Sequence, residues 1–384
     1  MVAGGPGSGG LRVALVCPYS LSRPGGVQGQ VLGLARSLVR RGHEVTVCAP
    51  VDRAEDVPRG VRFVDAGRST SLRANGSVAP VALSPRSALR AAAELRDVQP
   101  DVVHVHEPFA PGLPYALLAG SAPAPVVGTF PRSGGSVLYT LLSPVTRPLV
   151  RRLALRCAVS EAAAATASHA LGGEFEVLYN GVEVDRYQAV DPWPTDGPTA
   201  LFLGRHEERK GLAVLLDAWR TVTSDRVGGG PDPVLWVAGD GPATEELRAR
   251  HPESATVHWL GVLSEEEKER RLVAADVLAA PSLGGESFGL VLVEAMAART
   301  VVVASDIDGY RQAAGGRAVL AAPGDPAALA TALAGVLDGS LATTDGDREA
   351  WLAAGAARAD GWSMASLAGR YEAHYRSLVV GGGS

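Results

Sequence analysis

Glu286 and Glu294 stand eight residues apart in the segment Gly-Gly-Glu-Ser-Phe-Gly-Leu-Val-Leu-Val-Glu-Ala-Met-Ala at positions 284–297. Its glycines let the backbone pass close to a ligand, and a helix start after them offers free N–H groups to an anion. Glu286 falls in the turn, and Glu294 falls about two helical turns later in an apolar stretch. A carboxylate there is costly to bury without partners such as sugar hydroxyls. The spacing admits an acid/base pair, two binding carboxylates, or a capped core helix with one solvated glutamate.

A second cluster is Gly-Arg-His-Glu-Glu-Arg-Lys-Gly at positions 204–211. Arg205 at a strand terminus and Lys210 before a helix can aim at one diphosphate, the first as a planar fork and the second as a point charge. Without a ligand the same cluster reads as a solvated turn. A third feature is Gly25-Gly26, placed between the strand at 12–17 and a helix at 27–41. A glycine pair there allows a phosphate to approach the helix start, or it is a plain tight turn. The GxGxxG spacing of a dinucleotide site is absent, and so is a Walker A loop. Asn180-Gly181 and Gly239-Asp240-Gly241-Pro242 are explained as turns.

The elements that must position these residues alternate regularly. Apolar runs at 12–17, 45–49, 61–64, 101–106, 125–130, 155–159 and 175–178 read as buried strands, with helices such as 27–41 and 84–96 between them. The alternation resumes at 199–204, 234–239, 256–260, 276–280, 301–305 and 318–321. Continuous Val/Leu/Ala strands separated by helices indicate α/β architecture with parallel sheets covered on both faces. The Pro- and Gly-rich stretch at 189–198 joins the two halves, so two doubly wound domains are expected. Ligands of open α/β sheets bind beyond the carboxyl ends of the strands, which places the expected site in a cleft between the domains.

Composition narrows the function classes. A chain of 384 residues is long for one core, which agrees with two domains. The net charge of −5 argues against a nucleic-acid partner for the whole molecule. Cys17, Cys48 and Cys157 fall in expected strands without metal-ligand spacing, and their odd number fits reduced, packed thiols in the cytosol. No run reaches the roughly 18–20 apolar residues of a spanning helix. The first ten residues are read as a flexible end, neither signal peptide nor membrane span.

Together these motifs resemble the retaining GT-B glycosyltransferases of family 4, and within them the actinobacterial phosphatidylinositol mannosyltransferases. The resemblance runs from about residue 11 to 376. It is carried by Val-Cys-Pro-Tyr-Ser at 16–20 with Pro-Gly-Gly-Val-Gln at 24–28, Gly-His-Glu-Val at 42–45 and Asn-Gly-Ser-Val-Ala at 75–79. His-Val-His-Glu-Pro at 104–108, Leu-Gly-Arg at 203–205, Arg-Lys-Gly at 209–211 and the two-glutamate segment continue it.

The resemblance implies an acceptor-binding Rossmann-like domain at 11–190 and a nucleotide-sugar-binding one at 191–361, facing each other across a cleft. A terminal helix at 362–378 would cross back to the first domain. The donor implied is a nucleotide sugar, GDP-mannose, with no tightly bound cofactor and no metal held by side chains. Arg205 and Lys210 would neutralise the diphosphate, with Gly25 and Gly26 touching it from the other domain. Glu286 would bond the sugar hydroxyls, with backbone N–H groups from Phe288 and Gly289. Glu294 would hold the ribose and Leu290 pack by the nucleoside, while Leu263 and Lys268 line the base pocket. The acceptor, a lipid such as phosphatidyl-myo-inositol or a polyol, would sit near Tyr19, Gln28 and Asn75. Retention would rest on leaving-group stabilisation, with a donor phosphate oxygen taking the acceptor proton.

The chain departs from the family pattern at Thr-Phe-Pro-Arg, positions 129–132. The family carries histidine where Pro131 stands, and proline donates neither a proton nor a backbone hydrogen bond. His106 or Arg132 would have to compensate. The lysine that the family directs at inositol phosphate falls at Ser136, the tyrosine before Asn75 is Ala74, and Arg299 replaces a glycine. These departures keep two other readings open: a family 4 enzyme with another donor or a polyol or secondary-metabolite acceptor, and a catalytically weakened nucleotide-sugar binding protein. The family also implies a cytoplasmic enzyme in weak peripheral contact with the inner face of the plasma membrane. Arg86 and Arg90, and the cluster Arg147, Arg151, Arg152 and Arg156, serve that contact or are solvated helix faces.

Overall fold

The computed structural model describes residues 9–23, 25–53, 59–74, 77–120, 122–131, 146–224, 230–286, 288–340 and 348–381. They form two compact units, Met1–Gly181 with Met364–Ser384, and Val182–Ser363. The chain passes from one to the other at 181/182 and back at 363/364.

Unit 1 is built on a seven-stranded parallel sheet of order β3-β2-β1-β6-β7-β8-β9. Its strands are β1 (Arg12–Val16), β2 (Glu44–Ala49), β3 (Arg62–Asp65), β6 (Val102–His106), β7 (Val126–Phe130), β8 (Leu155–Ala158) and β9 (Glu176–Val177). Between β3 and β6 lies an antiparallel hairpin, β4 (Thr70–Ala74) and β5 (Ser77–Val81), which the sequence reading left unassigned. Its far end is tied to the loop after β1: the Ser20 N–H donates to the Pro80 carbonyl at 2.9 Å.

The strands form because their Val, Ala and Leu side chains are buried from both sides. One face packs helices Pro85–Val98, Leu113–Ala119 and Glu161–Leu171 through Leu95, Leu117, Ala163 and Ala167. The other packs helix Gly26–Arg40 and the terminal helix Met364–Gly381 through Val31, Leu34, Leu38, Met364, Leu367 and Tyr371. Cys17, Cys48 and Cys157 are buried free thiols in this unit. Burial pushes the first two up to about 12, so they stay protonated.

Unit 2 has a six-stranded parallel sheet, order β12-β11-β10-β13-β14-β15. Its strands are β10 (Thr199–Leu203), β11 (Val234–Ala238), β12 (Val257–Gly261), β13 (Val277–Ala280), β14 (Val301–Ser305) and β15 (Val319–Ala321). One core face gathers Leu212, Leu215, Trp219, Leu329 and Leu333 from helices Leu212–Ser224 and Pro326–Leu337 against these strands.

The stretch expected to link the halves is laid onto unit 2. The Trp193 N–H donates to the Arg270 carbonyl at 3.0 Å, and Arg270 Nε donates to the Asp191 carbonyl at 3.1 Å. The Arg271 guanidinium lies 4.1 Å from the Trp193 ring centre and 4.6 Å from that of Trp236. A cation held between two indoles fixes the segment, so the division between units falls at 181/182, upstream of the Pro-rich stretch.

In both sheets the strand order reverses beside the first strand, at β1 between β2 and β6 and at β10 between β11 and β13. Chains leaving the carboxyl ends of strands at such a switch point form ligand sites in open α/β sheets. Those two exits are Cys17–Gly26 and Gly204–Gly211, which carry the glycine pair and the Arg/Lys cluster.

Candidate functional site

In unit 2, β10 runs into a 3-10 turn, Glu208–Lys210, closed by Gly211. Gly211 has φ 68°, and a Cβ built on it would lie 1.9 Å from the Pro281 carbonyl oxygen. The turn therefore packs flush on the loop that leaves β13, which only glycine permits. That loop carries Glu286, and the contact brings the two sequence motifs together.

Lys210 Nζ lies 2.6 Å from Glu286 Oε1, and Arg209 Nη1 lies 2.7 Å from the same oxygen. Arg209 Nε reaches Glu207 Oε2 at 3.0 Å, and Arg205 Nε reaches Glu207 Oε1 at 3.2 Å. Three cations thus share two carboxylates, with one positive charge in excess. The sequence reading singled out Arg205, Lys210 and Glu286. It gave no role to Glu207, or to Arg209, which it quoted only within the Arg-Lys-Gly motif at 209–211.

Past Glu286 the chain turns through Gly289, φ 81°, into helix Leu290–Ala297. A Cβ at Gly289 would meet the Tyr310 ring at 2.6 Å, so the helix start rests on that ring. The Tyr310 hydroxyl pairs with Ser282 Oγ at 2.8 Å. Burial, and then the Glu286 charge, push that hydroxyl's pKa well above its ordinary value. Phe288 is buried with its ring 4.6 Å from Trp362, which anchors the peptide before Gly289. Among the described residues no side chain caps this helix, and its Leu292 N–H donates to the Gly289 carbonyl at 2.9 Å.

Glu294, about one turn into this helix, meets Lys268 Nζ at 3.2 Å, and Lys268 also meets Glu265 Oε2 at 2.9 Å. Burial works against the ammonium, but Glu294 and Glu265 hold its pKa above the ordinary lysine range. The Ser264–Glu267 capping box sets the start of helix Glu265–Ala274 and so aims Lys268. Leu263 and Leu290 are half-buried. Two neighbours were missed by the sequence reading. Tyr187 is buried, and its hydroxyl's pKa is raised first by that burial and then by Glu294. Arg186 bridges Glu183 at 2.9 Å and Glu269 at 3.0 Å.

In unit 1, Gly25 is the cap of helix Gly26–Arg40, without a side-chain hydrogen bond, and both glycines are exposed. Gln28 is buried, and its Nε2 donates to the carbonyls of Arg23 at 3.0 Å and Ser20 at 3.3 Å. That side chain shapes the loop from within. Tyr19 is half-buried and bridges the hairpin at Val81. Asn75, Arg132 and Ser136 lie outside the described residues.

Pro131 directly follows β7 and is half-buried. At the end of β6, His106 is buried, its Nε2 has no hydrogen-bond partner among the described residues, and its ring is stacked 4.4 Å from that of His104. Burial lowers its pKa to about 4, so it is neutral at ordinary pH. Of the second basic cluster, Arg152 Nη1 donates to the carbonyls of Leu118 at 2.8 Å and Ala119 at 2.9 Å, and Arg147 Nε to that of Ala170 at 3.3 Å. These arginines cap helix ends. Among the described residues no group of three His, Cys, Asp or Glu could hold a metal ion, and no helix is long and apolar enough to cross a membrane.

The sequence and the fold have counterparts among known proteins. Residues 24–186 match the family model Glycosyltransferase Family 4, and residues 197–339 match Glycosyl transferases group 1. A phosphatidyl-myo-inositol mannosyltransferase of Mycobacterium tuberculosis strain H37Rv is 40% identical over 366 residues, covering 92% of this chain and 94% of that one. The chain belongs to glycosyltransferase family 4.

A D-inositol 3-phosphate glycosyltransferase of Xylanimonas cellulosilytica is 32% identical to this glycosyltransferase, covering 94% of this chain and 96% of that one. A glycosyltransferase structure from Rickettsia africae, 17% identical, superposes with TM-score 0.71 over 96% of this chain and 99% of that one. The family 4 enzyme therefore has the GT-B fold of two Rossmann-like units.

Proposed function

We propose that this family 4 glycosyltransferase moves mannose from GDP-mannose to phosphatidyl-myo-inositol with retention at the anomeric carbon. The observation that carries the reading is the 40% identity, over nearly the whole of both chains, to a mannosyltransferase named for that acceptor. In this reading unit 2 binds the donor. Arg205 and Lys210 stabilise the charge that develops on the leaving diphosphate. Glu286 takes the sugar hydroxyls, with backbone N–H groups of Phe288 and Gly289 beside it. Glu294 holds the ribose, and Leu263, Lys268 and Leu290 flank the nucleoside.

Unit 1 binds the acceptor near Tyr19, Gln28, Asn75 and Arg132. Gly25 and Gly26 offer the uncapped helix start to a substrate phosphate. The acceptor's proton passes to a donor phosphate oxygen, and no metal bound by side chains takes part. The enzyme works on the cytoplasmic side of the membrane. Leu89, 66% exposed between Arg86 and Arg90 on helix Pro85–Val98, suits weak contact with an anionic bilayer.

Pro131 favours a second reading, in which the acceptor is a soluble polyol or polyol phosphate and the lipid is not used. The third is a protein that binds a nucleotide sugar and transfers it poorly. The test is to incubate the protein with GDP-mannose or UDP-sugars and mass-resolved phosphatidylinositol, comparing wild type with Pro131→His. Mannosylated lipid from the wild type is the expected result. Transfer by the histidine variant alone identifies a disabled site. Nucleotide binding without transfer in either redirects the search to other acceptors.

A further inference from the structure

Lys210, the cation assigned to the donor diphosphate, is already engaged. Its ammonium and the Arg209 guanidinium converge on one oxygen of Glu286, at 2.6 Å and 2.7 Å. A carboxylate and a phosphate oxygen want the same short, charge-assisted contact with that ammonium. The Glu286 side chain is 12% exposed and that of Lys210 is 19% exposed. Two anions competing there repel more strongly than they would in bulk water.

Arg209 is placed differently from Lys210. Its Nε is fixed by Glu207 at 3.0 Å, and its carbonyl accepts from the Leu283 N–H at 2.8 Å. It is therefore fastened to the base of the loop that bears Glu286, whichever partner Lys210 takes. Gly285, φ 72°, directly precedes Glu286.

We propose that Glu286 is the resident counter-ion of the diphosphate clamp: the donor's diphosphate displaces it from Lys210, while Arg209 keeps the carboxylate and presents it to the sugar. The intact donor supplies hydroxyls to the displaced carboxylate. A spent nucleoside diphosphate supplies none and meets the full repulsion, so the clamp discriminates donor from product and favours product release. Glu286 then has two roles in sequence, and Arg209 is a positioning residue. This proposal rests on unit 2 being the donor unit.

The test measures calorimetric affinities of the full chain for inorganic pyrophosphate, GDP, UDP and GDP-mannose. Glu286→Gln and Glu286→Ala should bind GDP and pyrophosphate about three- to tenfold more tightly than wild type, the change expected for removing one partly buried like charge. Their preference for GDP-mannose over GDP should fall by at least as much. Arg209→Gln should lower kcat with little change in donor KM or GDP affinity, and Arg209→Lys should restore part of kcat. Unchanged or weaker GDP binding in both Glu286 variants overturns the exchange. A loss of GDP affinity in Arg209→Gln equal to that of Lys210→Gln makes Arg209 a phosphate ligand and overturns its positioning role. A wild type that binds no diphosphate defeats the donor-site reading itself, and the exchange with it.

Discussion

The Tyr375 hydroxyl lies 2.6 Å from His104 Nδ1, fastening the last helix of the chain to the middle strand of the unit 1 sheet. His104 Nε2 lies 2.7 Å from Thr129 Oγ1, which in turn lies 2.9 Å from the Tyr371 hydroxyl. All four side chains are buried, so each polar atom depends on the others. Burial keeps His104 neutral, which gives it one donor and one acceptor for the two hydroxyls it faces. This polar joint lies two residues before His106 on β6 and two before Pro131, which follows β7.

Tyr375→Phe removes one member and strands His104 Nδ1 in an apolar setting. The expected cost is about 1–3 kcal/mol. In urea unfolding of the full chain, the transition reporting unit 1 should move to lower denaturant, while Tyr115→Phe, at a partly exposed tyrosine, should leave it in place.

The same helix is held at its flank by Glu372, which accepts from Arg41 Nε at 2.6 Å and Arg376 Nε at 2.9 Å. Burial opposes the charge, but the bonds from Arg41 and Arg376 prevail and lower the carboxyl from 4.5 to about 2. A depressed carboxyl stabilises the folded state above its unfolded pKa, and that stability is lost as pH falls through the folded one. The loss should therefore lie between pH 4.5 and about 2. Glu372→Gln should be less stable than wild type at pH 7, and the gap should close across that window in acid-unfolding curves.

How much of this was legible beforehand depended on the range of the interaction. The strands of both sheets could be read because runs such as Val-Val-Val-Ala-Ser at 301–305 have no other use than burial on two faces. The β4–β5 hairpin was missed because Arg73 and Pro80 break the apolar pattern. Its signal was Asn75-Gly76 between two short runs, the strongest local hairpin pair. The Arg209–Glu286 contact spans 77 positions and the His104–Tyr375 bond 271, so no local pattern announces them. Of the charges clustered at 205–210, the sequence could not say which would turn toward Glu286.

Arg299 shows a departure whose cost can be measured. Helix Leu290–Ala297 ends with the Arg299 N–H bonded to the Met296 carbonyl at 3.1 Å and the Thr300 N–H to that of Ala295 at 2.9 Å. This is a Schellman ending, with Arg299 at φ 59° in the position that favours glycine. Its side chain pairs with the exposed Glu349, which offsets little of the strain. Arg299→Gly should stabilise unit 2 by about 0.5–1 kcal/mol, read as a rise in its thermal midpoint. Donor affinity should be unchanged, because Glu294 lies a turn earlier on the same helix.

Gly211→Ala tests the packing on which the clamp depends. The new methyl would lie 1.9 Å from the Pro281 carbonyl oxygen, an overlap that neither backbone can relieve by rotating a side chain. The residue would also have to hold φ 68°, adding about 1–2 kcal/mol of left-handed strain. Relief requires the turn Glu208–Lys210 to separate from the loop after β13. Lys210 and Arg209 ride on the turn, while Glu286 rides on the loop, so both ion pairs lengthen together. A shift of about 1 Å in catalytic positioning can cost about 100-fold in rate. Gly211→Ala should therefore lose transfer in steady-state kinetics, while unit 1 keeps its unfolding midpoint. Normal transfer by a folded Gly211→Ala protein would show that the turn and the loop need not touch for the clamp to work.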